Sequence, residues 1–240
     1  MRKILLFISL GLFAISCSSD DDGFADANGN VAKKYITKMT SSGEGQTNIS
    51  TVVYNTEGKV ISASDGEKTK HFSYDNNGNL SKISGGGSSL LMSEVFNTIY
   101  EGYNIGDVLQ YDSKGNPSII ELYEDDYWSG ERIVHTATIS YDDKPFAFYY
   151  TLDAAGIIEV LNNTRLNFSD IMATPEIIMA KLLLPVNNPY KAIVKDENNQ
   201  EILSVDVSYN YGEDKYPNSA TVIVNEEGYV ESYSTTYEYK

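Results

Sequence analysis

His71-Phe72-Ser73-Tyr74-Asp75-Asn76-Asn77-Gly78-Asn79-Leu80-Ser81-Lys82-Ile83 reads as a strand, a tight turn and a returning strand. Phe72 and Tyr74 alternate with polar neighbours, which gives the first arm one apolar face. Asp75 and Asn76 carry side chains that hydrogen-bond nearby backbone. Gly78 supplies the left-handed conformation that a hairpin turn of this length demands. Looser copies of the pattern recur along the chain. The expected fold is therefore all-β: an antiparallel meander of hairpins, curved into a barrel-like or half-open sheet, with one or two short helices.

A chain of 240 residues suits one β domain of ordinary size. Its aromatic content is mostly tyrosine, with 19 Tyr against 8 Phe and 1 Trp. Tyrosine favours strands and tolerates half-burial, with the ring packed and the hydroxyl wet or hydrogen-bonded. The formal charge is −16, and no basic cluster interrupts it. That excludes nucleic acid as a partner, because phosphate binding needs grouped lysines and arginines. The acidity reads as solubility in a crowded exterior, with an acidic binding site as the alternative.

Met1-Arg2-Lys3 is a short basic region ahead of an apolar run from Ile4 to Ile15. The run falls short of the ~20 apolar residues that span a bilayer as a helix, so residues 1–16 are expected to be a signal peptide. Ala14-Ile15-Ser16-Cys17 resembles the lipobox of bacterial lipoproteins, which implies that Cys17 is lipidated and becomes the first mature residue. Cys17 is the single cysteine of the chain. The alternative is a secreted protein cut nearby, with an incidental cysteine. Ser18-Ser19-Asp20-Asp21-Asp22 resembles the acidic export signal of Bacteroidota surface lipoproteins. That resemblance implies display on the outer face of the outer membrane, with the periplasmic leaflet as the alternative. As composition alone, the same stretch is an ordinary solvated linker. Residues 17–30 are thus expected to be a lipidated acidic tether, and residues 31–240 a single β domain. Asp22, Asp26, Asn28 and Asn30 do not make a calcium loop, because the closing glutamate is missing.

Along the domain, residues 34–39 and 48–54 are the first expected strands, joined by the Ser/Gly-rich residues 41–45. Leu91, Val95 and Ile99 fall at four-residue spacing, consistent with a short amphipathic helix or a strand. Residues 108–111 and 118–123 flank the turn at Asp112-Ser113-Lys114-Gly115-Asn116-Pro117. Ile133, His135, Ala137, Ile139 and Tyr141 share a strand face. Residues 141–145 are then expected to turn into a returning arm on which Phe146, Phe148, Tyr150 and Leu152 alternate. Asp153-Ala154-Ala155-Gly156 reads as the next hairpin turn, with residues 157–161 after it. Thr174 caps and Pro175 opens an expected helix, which Pro185 stops. Residues 203–211, 220–224 and 229–239 return to clean alternation.

Tyr74-Asp75-Asn76-Asn77-Gly78-Asn79-Leu80 and Tyr111-Asp112-Ser113-Lys114-Gly115-Asn116-Pro117 resemble the tyrosine-aspartate (YD) repeats of Rhs-type proteins. Gly58, Gly78, Gly115 and Gly156 are unevenly spaced, unlike the fixed period of a solenoid. Together with the lipobox, the chain resembles a Bacteroidota lipoprotein family of unknown function with a porin-like β architecture. That resemblance implies a β fold and an envelope address, and it implies no activity.

The sequence offers little catalytic chemistry. His71 and His135 have no partner at metal-ligand spacing, and each reads as structural. No nucleophile elbow, phosphate loop or dinucleotide fingerprint occurs, and no cofactor is expected. A glycan hydrolase needs only a carboxylate pair, which stays open as an alternative. Glu121-Leu122-Tyr123-Glu124-Asp125-Asp126-Tyr127-Trp128-Ser129-Gly130 sets the only tryptophan beside acids in an expected hairpin loop. Tyr123, Tyr127 and Trp128 are the candidate ligand-binding residues. Rings stack on sugar C–H faces while acids accept hydroxyl protons. The alternative is a tryptophan folded onto the sheet edge. The expected function is a non-catalytic, surface-displayed binding or adhesion lipoprotein, with polysaccharide as a ligand. The runner-up is an accessory subunit that docks on another envelope protein through an edge strand.

Overall fold

The computed structural model describes residues 20–86, 104–125, 130–158 and 184–240. They form one antiparallel sheet of twelve strands and two short helices. The helices are α1, Asp20–Asn28, and α2, Tyr149–Ala154. The strands are β1 Ile36–Gly43, β2 Gln46–Tyr54, β3 Val60–Ser64, β4 Thr69–Tyr74, β5 Leu80–Gly85, β6 Asn104–Tyr111, β7 Pro117–Asp125, β8 Arg132–Pro145, β9 Asn187–Lys195, β10 Glu201–Tyr211, β11 Pro217–Glu226 and β12 Tyr229–Tyr239. The sheet order is β5-β4-β3-β2-β1-β12-β11-β10-β9-β8-β7-β6. Two meanders are thus joined where the last strand pairs with the first. β5 and β6 are the two edges, so the sheet is half-open, not closed.

The 71–83 hairpin forms as β4 and β5, at one edge of the sheet. Asp75 Oδ1 accepts the backbone N–H of Asn77 at 2.9 Å and of Asn79 at 2.8 Å. Gly78 takes φ of 86°. Asn55, Asp112 and Asp196 bond their own turns in the same i+2 and i+4 pattern.

One end of the sheet is held by tyrosines. The Tyr54 hydroxyl donates to Ile36 O at 2.7 Å, Tyr74 to Val60 O at 2.6 Å, and Tyr141 to Pro117 O at 2.9 Å. Tyr209 donates to Pro189 O and Tyr239 to Pro217 O, each at 2.9 Å. Four of these five acceptors, Ile36, Val60, Pro117 and Pro217, are the first residue of a strand. Register shifts fall at Val53/Tyr54, Ser73/Tyr74, Ser140/Tyr141, Asn210/Tyr211 and Ile36/Lys38. A bulge leaves ladder groups unpaired, and a buried unpaired carbonyl is costly, so a phenol from a neighbouring strand takes the bond. We call this the latched end.

Buried amides complete it. Asn116, Asn187 and Asn188 are fully buried. Asn116 Oδ1 accepts the N–H groups of Val186 and Asn187, while its Nδ2 donates to Asp112 Oδ2 and Asn187 Oδ1. Asn187 Nδ2 donates to Lys144 O and Asn28 Oδ1, and Asn28 Nδ2 donates to Val186 O. Asn188 ties Pro145 O, Ala147 N and the Tyr211 hydroxyl. The 112–116 turn, the end of β8, the start of β9 and α1 therefore share one satisfied network.

The helices differ from what the sequence led us to expect. Residues 17–30 were expected to be a free tether, yet Asp20–Asn28 is helical and Phe24 is 1% exposed. Its ring stacks on Tyr149 at 3.7 Å between centroids, 13° from parallel. The packed body thus takes in residues before 31. Residues 141–145 do not turn: β8 continues to Pro145. Residues 146–152 are not an alternating arm, because every one of them is buried. With no wet face to preserve, this run folds as a turn and the six-residue α2, stable only because it packs on the sheet. There Thr151 Oγ1 accepts Ile36 N–H at 2.9 Å, at the β1 bulge. Strand β9 was not anticipated. The helices expected near residues 90–99 and 175–184 fall outside the described residues, apart from Leu184.

The core lies on one face of the sheet in three clusters. Phe24, Ile36, Phe146, Tyr149, Leu152 and Tyr216 centre the first. Val52, Val60, Ala63, Phe72 and Ala155 form the second. Ile120, Leu122, Ala137, Val194, Val205 and Val224 belong to the third, across β7 to β11.

Asn187→Ala would remove one of the two bonds of Asn116 Nδ2 and strand Asn28 Oδ1 and Lys144 O, and is expected to cost on the order of 3 kcal/mol in urea unfolding. An unchanged midpoint would show that the network is not a strong constraint. Burial pushes the phenols of Tyr54 and Tyr74 up to about 12 from their ordinary 10.0. A folded-state pKa above the unfolded one stabilises fully below pH 10, and that stabilisation is lost as pH climbs through about 12. Alkaline unfolding is therefore expected in that window, together with phenolate absorbance. Tyr54→Phe should flatten the alkaline limb while lowering stability at neutral pH. Phenolate forming well below the window, with the fold intact, would contradict the burial of these hydroxyls.

Candidate functional site

Tyr123, from the sequence-predicted binding set, lies near the end of β7. Its neighbours Ile120 and Leu122 are buried, so alternation puts Glu121 and Tyr123 on the opposite face. The Tyr123 hydroxyl donates to Glu121 Oε1. The Arg132 guanidinium sits 4.7 Å from its ring centroid. One ring face is thus already used by a cation–π contact, and the hydroxyl has a partner. Tyr127 and Trp128 fall outside the described residues, as does Cys17.

Another group of aromatics does converge. Met39 and Ser41 of β1, Val207 and Tyr209 of β10, Val222 of β11, and Tyr233, Thr235 and Tyr237 of β12 line a recess on the core face of the sheet. It is shallow, with about 20 Å³ of room for the centre of a water-sized sphere. Cross-strand register builds it: Met39 faces Tyr237, Ser41 faces Thr235, and Val222 faces both Val207 and Tyr233. The side chains of Ser41 and Thr235 hydrogen-bond at 2.9 Å. Gly43 is paired with Tyr233, and a Cβ there would stand 2.6 Å from the Tyr233 Cβ. The glycine therefore makes room for that residue at the rim.

The recess is electrically neutral, since none of its lining residues is charged at physiological pH. Burial pushes the phenols of Tyr209 and Tyr237 up, and their tyrosine neighbours push them further, so both stay protonated. The site offers ring faces, aliphatic surface and hydroxyls. Sequence reasoning placed these tyrosines on core faces and did not single them out, because convergence across β1, β10, β11 and β12 depends on which strands pair.

Among the described residues, the histidines and the Asp142–Asp143 pair lie apart from this recess. His71 is exposed on β4, and His135 is 5% exposed on β8, where it faces Leu122. Asp142 is raised by burial, against the Tyr211 hydroxyl and the Lys144 N–H that bond it, whereas the Lys144 ammonium lowers Asp143. These two carboxyls differ in environment, but consecutive strand residues point to opposite faces and do not flank one bond. Among the described residues no group of three His, Cys, Asp or Glu can hold a metal ion.

The face opposite the core is hydroxyl-rich and charged. Lys38, Thr40, Thr51, Ser208, Thr221 and Thr236 are among the side chains on it. Exposed aliphatic side chains share this face, among them Ile49, Val53, Val134 and Ile223. Among the described residues, no helix is long and apolar enough to cross a membrane.

No protein-family model matches this chain, and no curated protein matches it. Solved structures give weak likenesses. A porin-like protein from Bacteroides uniformis ATCC 8492 is 12% identical over 85% of this chain and 98% of its own, with a TM-score of 0.37. A porin-like protein from Bacteroides vulgatus ATCC 8482 is 11% identical, with a TM-score of 0.26, over 83% of this chain but only 59% of its own length. An outer membrane lipoprotein-sorting protein domain from Vibrio parahaemolyticus is 12% identical over 92% of this chain and 89% of its own, with a TM-score of 0.27.

Proposed function

We propose that this chain is a non-catalytic binding lipoprotein of the cell envelope, anchored through Cys17 and displayed at the cell surface, with neutral polysaccharide as its ligand class. The observation that carries the reading is the uncharged, tyrosine-lined recess in a chain of net charge −16. Excess surface acid repels anionic ligands, whereas a neutral recess with ring faces and hydroxyls suits the edge of a sugar chain. C–H faces pack on Tyr233 and Tyr237, and sugar hydroxyls exchange hydrogen bonds with the rim. The sheet around it is braced at the latched end, so little ordering cost is paid on binding.

The test is a glycan-array screen of the mature chain carrying Cys17→Ser, with Tyr233→Ala and Trp128→Ala alongside. Each variant is checked for an unchanged urea midpoint. A hit that Tyr233→Ala weakens at least about tenfold, the equivalent of ~1.4 kcal/mol, and that Trp128→Ala leaves intact supports the recess. The reverse pattern moves the site to the β7–β8 loop. A blank array on folded protein overturns the glycan reading.

One observation favours a second reading, an accessory subunit. Among the described residues β5 pairs only with β4, and β6 only with β7, which leaves two edges for strand addition. It predicts co-purification of an envelope protein from detergent, lost when Ile83 on β5 is changed to proline.

A further inference from the structure

We infer that α1 is a rigid fixture between the lipid anchor and the sheet, so that the latched end faces the lipid surface and the opposite hairpin tips face away from it. The inference rests on the lipoprotein reading above and goes beyond it, because a lipoprotein on a flexible tether would have no fixed orientation.

The fixture is built from one face of α1, on which Phe24 and Asn28 are one turn apart. Phe24 is buried and stacked on Tyr149, and it also meets Tyr150 edge-on at 5.4 Å. At the C-terminal end of the helix, Asn28 donates to Val186 O at 2.9 Å and accepts from Asn187 Nδ2 at 3.0 Å. Gly29 continues the chain at φ of 67°, and Tyr35 and Lys240 exchange backbone bonds beside β1 and β12. Every one of these partners lies at the latched end. Cys17 precedes the first helical residue, Asp20, by three residues. Four helical residues from Phe24 to Asp20 add ~6 Å to the ~10 Å that three extended residues reach, whereas an eleven-residue strand such as β12 runs ~35 Å. The anchor is therefore much closer to the latched end than to the tips. It has too little chain to let the body turn over.

Charge fits the same orientation. The turns at the far end carry Glu44, Asp65, Glu67, Asp196, Glu197 and Glu227, with Lys68 the one cation among the turn residues 44–45, 65–68, 196–200 and 227–228. Lys33, Lys34, Lys59, Lys114, Lys215 and Lys240 lie at the latched end, interspersed with acids. Near an anionic lipid surface, the acidic tips are repelled and the mixed end is tolerated.

The chain itself supplies the means of testing this. Cys17 is its only cysteine, so in the acylated protein an introduced thiol is uniquely labelled. Glu57→Cys marks a latched-end turn, and Glu227→Cys marks a tip. Each is labelled with a donor dye in the full lipoprotein, reconstituted in phospholipid vesicles that carry a headgroup acceptor. Energy transfer is expected to be several-fold stronger from position 57 than from 227. A ten-residue Gly/Ser insertion between Ser19 and Asp20, which leaves α1 intact, should abolish most of the difference. Equal transfer from both positions in protein whose acylation is verified by mass would overturn the inference while leaving the lipoprotein reading standing. An unacylated Cys17 by mass would overturn both.

Discussion

Bulged strand ends create backbone groups that the sheet cannot pair, and the rest of this structure is arranged around supplying their partners. A twelve-stranded meander changes direction at each turn, and here several turns coincide with register shifts. Each shift frees carbonyls or amides in a region that the helices then bury. Tyrosine suits the task because its ring reaches across a neighbouring strand and contributes apolar area on the way, while its hydroxyl arrives as a donor. Thr151 supplies the complementary acceptor for Ile36 N–H. Asn116, Asn187 and Asn188 serve where donors and acceptors are needed together.

This bracing gives the sheet an asymmetry along its strands. At the latched end α1, α2 and the buried amides tie together strands far apart in sequence. At the other end the described turns at 44–45, 65–68, 196–200 and 227–228 are short and acidic. Between them, where β1 meets β12 and the two meanders join, the core face is incompletely filled and the tyrosines line a neutral recess. Position in the sheet thus connects packing with the proposed binding role. The recess sits at the seam, and its walls come from the first strand of the sequence and the last three.

The same bracing governs how the body meets its surroundings. Threonine, serine and lysine share the face opposite the core with the exposed aliphatic side chains of Ile49, Val53 and Ile223. Docking α1 on the latched end makes residues 20–28 part of the packed body, and the acids Asp20, Asp21 and Asp22 belong to that helix.

The sequence by itself determined most of the strands, β9 excepted, because alternation is a local property: Phe72 and Tyr74, Leu203 to Tyr211, and Tyr229 to Tyr239 each show which face is apolar. It also determined the turns, where an Asx side chain bonds two amides within four residues. Tertiary structure decided the remainder. Residues 146–152 read as a strand because Phe146, Phe148, Tyr150 and Leu152 are apolar at alternate positions, but Ala147 and Tyr149 are buried too, and a run buried all round carries no period. Phe24 looked like part of a tether because a nine-residue acidic helix has no stability alone, and only Tyr149, brought from far along the chain, gives it a partner. Asn116 and Asn187 were unremarkable loop residues until β7 and β9 were both placed beside β8. The recess was illegible for the same reason: its residues lie on four strands, and a pairing between the first strand and the last leaves no mark in local pattern.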